Sequence, residues 1–481
     1  FVAKLLQQME FDADRYEARL SGSKTFAETS RRLRLLGLCQ EKTLDDLDHY
    51  RRMKQLPDNF PALLVDNEKH IDDEKFREFE KELLEQETAW HDTHPSDRDR
   101  IRNAAQEQTP GTFQLEYPAS LLFSDLGALC RIVTQRAFQQ YFGPEFRAGE
   151  VRNTETLIRE RDIRRNEGKA ALRFALEQFC GFDTFTLPRE KLGTAINSEV
   201  YKKETLERRK YMIDNVRYYT QWCDNEEEMR EDLASITCSR RLMEAGFDLS
   251  DSSMFKVSTL QEAQQMQHYL ANEDARLKQQ VAPFRQVLGA RIMDAIEFMR
   301  SPKIYESSGE QATVASEIQA IILAWNCIIG LRQTFETFLF EIRVNLMLLS
   351  VIEEMIDEHI FNSVNAALSR LTDHMIQIRA ATQHVSYPFD HGEGRISLSR
   401  FLVADLPTEK DVNATMDAAV DLEKNLMFLL RRCVARLGAL AEKTETFFGF
   451  EPLEIPAEVT IEYREKIRRQ KEEQESANPY R

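Results

Sequence analysis

The apolar residues among the first twenty positions recur at the spacing of an α-helix. At 100° per residue they fall within one stripe, which comprises Val2, Leu5, Leu6, Met9, Ala13, Tyr16 and Leu20. A stripe of this kind is typical of a helix that buries one face. The pattern therefore predicts an amphipathic helix over residues 1–20 that is stopped by Gly22, with Met9 and Ala13 on its buried side.

Two further helix starts are indicated by capping-box spacing, in which a Ser or Thr is followed three residues later by an acidic residue or Gln. Thr25 with Glu28 predicts a second helix through Leu36, and Thr43 with Asp46 predicts a third helix that ends before Pro57. A fourth, highly charged helix is predicted around Phe76 to Trp90. The N-terminal part of the chain is thus expected to be a set of short helices.

Beyond residue 110 the apolar faces become thicker and the predicted helices longer. They cover about 119–142, 154–180, 199–246, 258–300, 312–383 and 411–447, and the one extended irregular segment is 384–409. Only 17 Gly and 14 Pro occur among 481 residues, which leaves few positions for tight turns. The longest apolar run, 318–331, is too short for a bilayer span and suits a core helix. The predicted fold class is mostly α.

Charge and cysteine content exclude some classes of function. The formal net charge is −17, and the basic residues between 159 and 173 are interleaved with acidic ones, so nucleic-acid binding is not expected. The 7 cysteines show no CxxC spacing, which is typical of small buried side chains in a reducing compartment. This part of the protein is therefore expected to face the cytoplasm.

Two carboxylates, Glu10 and Asp14, lie one turn apart on the first predicted helix. On the helical wheel they occupy one shoulder of the apolar stripe, and like charges at this spacing repel mildly. By spacing alone they are a solvated helix edge. A shared cation or an imidazole partner would make the arrangement favourable.

The wider stretch "EFDADRYEARLSGS" resembles the ExxxD segment of the HtpX-like and CaaX prenyl endopeptidase family, which are membrane-associated zinc metalloproteases of the gluzincin type. In that family a helical HExxH supplies two histidine ligands and the general base, and a glutamate from a downstream helix is the third ligand. The resemblance implies that Glu10 is a Zn²⁺ ligand. It also implies that Asp14 braces a zinc-bound histidine from the second shell of the site.

A second stretch, "THPSDRDRI" at Thr93 to Ile101, resembles the THPxxxxRI segment that closes the protease domain in the same family. The resemblance implies that His94 lies near the metal cleft. Arg100 would be a structural or cleft-lining cation. The order of the two segments agrees with the family, and the resemblance covers about residues 1–105.

The departure from the family is the missing HExxH. Each of the 9 histidines is followed by a residue other than Glu, and the chain opens inside a helix nine residues before Glu10. We therefore expect a C-terminal fragment whose HExxH and membrane segments lie upstream. Residues 1–109 would be the end of the protease domain, 110–456 a helical domain of unknown role, and 457–481 a charged tail that frays.

The expected function is thus that of a zinc-dependent metalloendopeptidase acting on a protein or peptide substrate. The full-length protein would be membrane-associated. This chain alone, with one of three protein ligands, would be inactive and would bind zinc poorly. The alternative is a non-catalytic α-helical interaction or scaffold protein, in which Glu10 and Asp14 are surface charges.

Overall fold

A computed structural model describes residues 2–113, 117–178, 197–247, 249, 257–352, 358–407 and 411–476. Sixteen α-helices and very few strand residues occur in these ranges, so the predicted mostly α fold is confirmed. The predicted helices 154–180 and 312–383 include residues 179–180 and 353–357, which lie outside the described ranges.

The chain divides into two compact units. The first comprises residues 1–161 with 391–393, and the second comprises 162–390 with 394–481. The boundary predicted from the family resemblance, between 109 and 110, lies within the first unit and stays a prediction.

The first unit holds six complete helices and a minimal sheet. The helices are α1 (Val2–Ser21), α2 (Ser23–Arg52), α3 (Phe60–Asp66), α4 (Asp73–Glu85), α5 (Asp97–Gln106) and α6 (Leu126–Phe142). Strands β1 (Leu56–Pro57) and β2 (Val151–Arg152) pair in parallel, with Leu56 opposite Val151. Helix α7 (Thr154–Phe174) begins in this unit and continues into the second.

Helix α2 corrects the prediction of two helices between residues 25 and 57. It is continuous from Ser23 to Arg52, and neither capping-box pair begins a helix. Thr43 is buried in its middle, where its hydroxyl donates to the carbonyl of Cys39 at 2.7 Å. A threonine that bonds the preceding turn in this way is an ordinary interior helical residue, so capping-box spacing was misleading here.

The junction of α1 and α2 is a close approach of two backbone segments. Gly22 has φ +99°, and Gly111 has φ +86°, a region that L side chains rarely adopt. A Cβ at Gly111 would lie 2.5 Å from the backbone nitrogen of Gly22. The predicted stop at Gly22 is confirmed, and the reason is a long-range contact as well as the local backbone conformation.

Helix α1 forms as predicted, but it packs through the opposite face. Its buried residues are Asp14 and Ala18, and Ala18 packs in a small cluster with Phe26 of α2 and Ala104 of α5. Met9 is 60% exposed and Ala13 is also exposed. The prediction that Met9 and Ala13 face the core is therefore wrong, because the contact with α5 is made by small and polar residues.

The second unit contains the longer helices. They are α8 (Ser198–Glu244), α9 (Leu260–Met299), α10 (Pro302–Ser307), α11 (Val314–Gly330), α12 (Arg332–Ile352), α13 (Glu358–Thr382), α14 (Leu398–Leu402), α15 (Val412–Phe447) and α16 (Ile461–Ser476). Helix α9 packs against both α8 and α15. The stretch predicted as one helix over 312–383 is broken between α11 and α12. The tail predicted to fray is also a helix over its described part, α16.

The core of the second unit combines large apolar side chains with buried ion pairs. The largest apolar residues with almost no exposure include Trp325, Tyr219, Phe284, Phe335 and Phe338. Arg291 of α9 donates from Nε and a terminal nitrogen to Glu445 of α15, at 2.5 and 2.7 Å, with both side chains buried. Separating the two partners would leave buried charges without compensation, which strongly destabilises a fold. The pair therefore fixes how these two helices face each other.

Among the described residues, no single helix has the length and apolar character needed to cross a bilayer. Val314–Gly330 and Arg332–Ser350 have them only together, as a pair bent by 66°.

Candidate functional site

The four residues singled out by the family resemblance meet at the contact between α1 and α5. Glu10 Oε1 lies 3.1 Å from Nδ1 of His94, and Glu10 Oε2 lies 3.5 Å from a terminal nitrogen of Arg100. Arg100 in turn donates to Asp14. Residues more than eighty positions apart in the sequence therefore form one cluster, here called the Glu10 cluster.

The pair formed by Asp14 and Arg100 is the buried part of the cluster. Nε of Arg100 donates to Oδ2 at 2.9 Å and a terminal nitrogen donates to Oδ1 at 2.6 Å. Hydrogen bonding to Asp14 raises the pKa of Arg100 above its ordinary value, so the guanidinium stays charged. Both oxygens of Asp14 are thus engaged by a cation of this chain. The expected role of Asp14, bracing a zinc-bound histidine, stays a prediction.

Glu10 and His94 form the accessible part of the cluster. The side chain of His94 is 77% exposed and that of Glu10 is 31% exposed. With its proton on Nδ1, the imidazole can donate to Glu10 and keep Nε2 for another partner. The carboxylate and the imidazole are both residue types that bind zinc.

The N-terminus of α5 positions His94 and Arg100. Ser96 is the N-cap and accepts from the amide of Asp99 at 3.3 Å, while Pro95 is buried. Asp99 accepts from both the amide and the hydroxyl of Thr88. Burial raises the pKa of Asp99, but the bonds from Thr88 and Arg98 outweigh burial and lower it. An ionised carboxylate in the first turn also suits the helix dipole, so this turn is well fixed.

Polar contacts continue along the whole length of α1. Gln7 donates to the carbonyl of Asp92 at 2.7 Å, and Asn103 donates to the carbonyl of Phe11 at 3.2 Å. Near the other end Glu107 accepts from Arg15 and Arg19. The hydrogen bond from Arg15 is the main reason why the pKa of Glu107 is lowered. The Glu10 cluster thus lies in a polar seam that joins α1 to α5.

The carboxylates of the Glu10 cluster outnumber its guanidinium by one. Arg100 compensates one of the two carboxylates, so the cluster carries one negative charge when His94 is neutral. Zinc sites in proteases use three protein ligands and an open position. Glu10 fits a ligand by residue type and exposure, and His94 lies beside it, but two such groups do not complete a site.

A second carboxylate and imidazole pair lies in the first unit, and the sequence analysis did not find it. Asp66 at the end of α3 lies 3.8 Å from Nε2 of His70, and the buried Arg161 contacts both side chains. Arg161 also donates to Asp46 and Asn67. The guanidinium of Arg161 supplies the positive charge that the carboxylates need, so these side chains form a structural network without a metal ion. Its signal in the sequence, Asp and His four residues apart, is too common to be specific.

Comparisons of this chain with protein-family models, with curated proteins and with solved structures found no match.

Proposed function

We propose that residues 1–105 contribute the third metal ligand to a zinc metalloendopeptidase, in a protein that carries HExxH outside residues 1–481. Glu10 is the ligand in this proposal. His94 lines the cleft beside it, and Asp14 keeps its predicted role of bracing a zinc-bound histidine, while Arg100 joins Asp14 to Glu10. The bound zinc would supply a polarised water for attack on a peptide bond.

One observation carries the proposal. The two segments that resemble the family meet, with Glu10 Oε1 3.1 Å from His94 Nδ1. If Glu10 were only a solvated surface charge, there would be no reason for it to contact His94. The remaining negative charge of the cluster and the partial exposure of Glu10 add support, because a zinc ligand must be reachable and anionic or neutral.

The test is expression of the coding region together with its upstream sequence. We expect HExxH upstream, chelator-sensitive hydrolysis of a protein substrate, and loss of that activity in Glu10→Gln. The matched control is Glu28→Gln, which changes an exposed acidic residue of α2. Absence of HExxH, or activity that survives Glu10→Gln, would refute the proposal.

The second candidate is a non-catalytic helical interaction protein, and the apolar surface of α1 favours it. In that case the Glu10 cluster only joins α1 to α5. Zinc or a chelator would then have no effect on the full-length protein, with or without Glu10→Gln.

A further inference from the structure

We propose that the exposed face of α1 docks a helix whose apolar seam is flanked by lysine or arginine. This inference is independent of the proposed protease function, because it rests on the outer face of α1.

The exposed apolar residues of α1 follow a heptad pattern. The spacings alternate between four and three residues along Val2, Leu6, Met9, Ala13, Tyr16 and Leu20. These are the a and d positions of a coiled coil, in which each such side chain inserts between residues of a facing helix. The helix therefore carries the complete apolar seam of a two-helix contact over its full length.

The seam has no cover within the described part of the chain. Val2, Met9 and Tyr16 are 69%, 60% and 71% exposed, and Leu6 and Leu20 are exposed as well. The opposite face, through Asp14 and Ala18, is the one that packs on the rest of the first unit. A contiguous apolar stripe of this kind marks an interaction surface more often than a chance arrangement.

The charges that border the seam select the occupant. Glu17 lies along one edge, at an e position, and Asp12, 3.7 Å from Arg15, lies on the other edge, at a g position. Arg19 also lies on that edge, but its guanidinium is paired with Glu107 at 2.8 Å. Glu10 is also at an e position, but it is already engaged by His94 and Arg100. The edges are thus mainly acidic, and a helix with basic e and g residues would gain attraction on both sides.

A second copy of this chain is a poor occupant, because its own α1 has the same acidic edges. In a parallel pair, Asp12 of one chain faces Glu17 of the other. In an antiparallel pair with all apolar layers matched, Asp12 faces Asp12 of the other chain. Like charges at these positions act against self-pairing, as they do in coiled coils with chosen partners.

The experiment uses the full chain and two synthetic 21-residue helical peptides with the same leucine and isoleucine seam. One peptide has Lys at all e and g positions and the other has Glu there. We expect the Lys peptide to bind at least about tenfold more tightly in fluorescence anisotropy, with a difference that shrinks in 0.5 M salt because exposed charges are screened.

Variants locate the binding surface. Met9→Asn with Tyr16→Asn should weaken binding of the Lys peptide by at least about tenfold. The matched control is Leu33→Asn with Leu44→Asn, two exposed leucines of α2, and it should leave binding unchanged. Circular dichroism verifies that both double variants keep their helices.

Four results would overturn the proposal. In the first three, neither peptide binds, both peptides bind equally, or the control variant weakens binding as much as the α1 variant. Sedimentation that shows a concentration-dependent dimer, lost in Met9→Asn with Tyr16→Asn, would also overturn it and identify a second copy as the occupant.

Discussion

Asp14 accepts two hydrogen bonds from Arg100, which lies 86 residues later in the sequence. The two partners differ in burial, because the side chain of Asp14 is 2% exposed and that of Arg100 is 32% exposed. Removing the cation therefore leaves a buried carboxylate without compensation. Removing the carboxylate leaves a guanidinium that water can still reach.

Replacing Arg100 is expected to destabilise the fold more than replacing Asp14. Arg100→Met should lower the free energy of unfolding by about 3 kcal/mol, the usual cost of breaking a buried ion pair. Asp14→Asn should cost about 1 kcal/mol, because the amide oxygen still accepts a hydrogen bond. Urea unfolding measures both values. Arg102→Met, an exposed arginine on the same helix, is the control, and equal losses in the two variants would contradict the argument.

Gly111 is expected to tolerate no side chain. Gly111→Ala places a Cβ 2.5 Å from the backbone nitrogen of Gly22 at a φ of +86°, so we expect a loss of about 2 kcal/mol or more. Gly37 has open space around an added Cβ and lies within α2. Gly37→Ala should raise the free energy of unfolding by about 0.5–1 kcal/mol, since alanine is the better helix former. Urea unfolding of both variants checks the opposite signs.

The sequence predicts the existence of α1 but not its orientation. A helical wheel assumes that the apolar stripe faces the core, whereas α1 packs through Asp14 and Ala18. The partner of Asp14 lies on α5, and no local pattern identifies it. Thr43 shows the same limit, because the hydroxyl that resembles an N-cap bonds within a longer helix. The apolar periodicity of a segment predicts that it is a helix, whereas polar partners far away in the sequence determine which face of the helix packs against the rest of the fold.

The candidate site shows what a family resemblance adds. Spacing alone gave Glu10 and Asp14 no partner, and a single histidine in a loop is weak evidence. The resemblance linked two segments, and the structure brings Glu10 and His94 into contact at 3.1 Å. The zinc and its other ligands stay predictions. The heptad seam of α1 was visible in the sequence as a stripe, but its exposure required the structure.

Two carboxylates around Arg436 in the second unit have pKa values shifted in opposite directions. Arg436 donates to Glu167 and Glu310, each at 2.9 Å. Burial raises the pKa of Glu310, but hydrogen bonds from Arg436 and Lys443 outweigh burial and lower it. Burial also raises the pKa of Glu167, and the opposing attraction of Arg436 is too small to offset the effect of burial, so this pKa stays raised.

These shifts predict opposite effects of two isosteric variants. Glu310 stabilises the fold above its unfolded pKa of 4.5, and this is lost as the pH falls through its lower folded pKa. Glu310→Gln should therefore cost about 2 kcal/mol at pH 7 and little in strong acid. Ionised Glu167 opposes folding at neutral pH, and this cost disappears as the pH falls through its raised folded pKa. Glu167→Gln should thus be neutral or stabilising at pH 7.

Unfolding in urea is followed by tryptophan fluorescence, to which the buried Trp325 of this unit contributes. Measurements at pH 7, at pH 4 and in stronger acid give the free energies of unfolding for each variant. Equal destabilisation by both variants at pH 7 would contradict the assignment of the shifts. A matched control is Glu462→Gln, which changes an acidic residue in the first turn of α16.

The chain by itself is expected to bind zinc weakly and to lack proteolytic activity. The Glu10 cluster offers one carboxylate and one imidazole, and the charged guanidinium of Arg100 lies 3.5 Å from Glu10, where it repels a dication. Metal analysis after dialysis should find less than one zinc per chain, and Glu10→Gln should not change this content. Tight stoichiometric zinc that Glu10→Gln removes, together with cleavage of a protein substrate, would contradict the prediction and would mean that this chain completes the metal site without an HExxH.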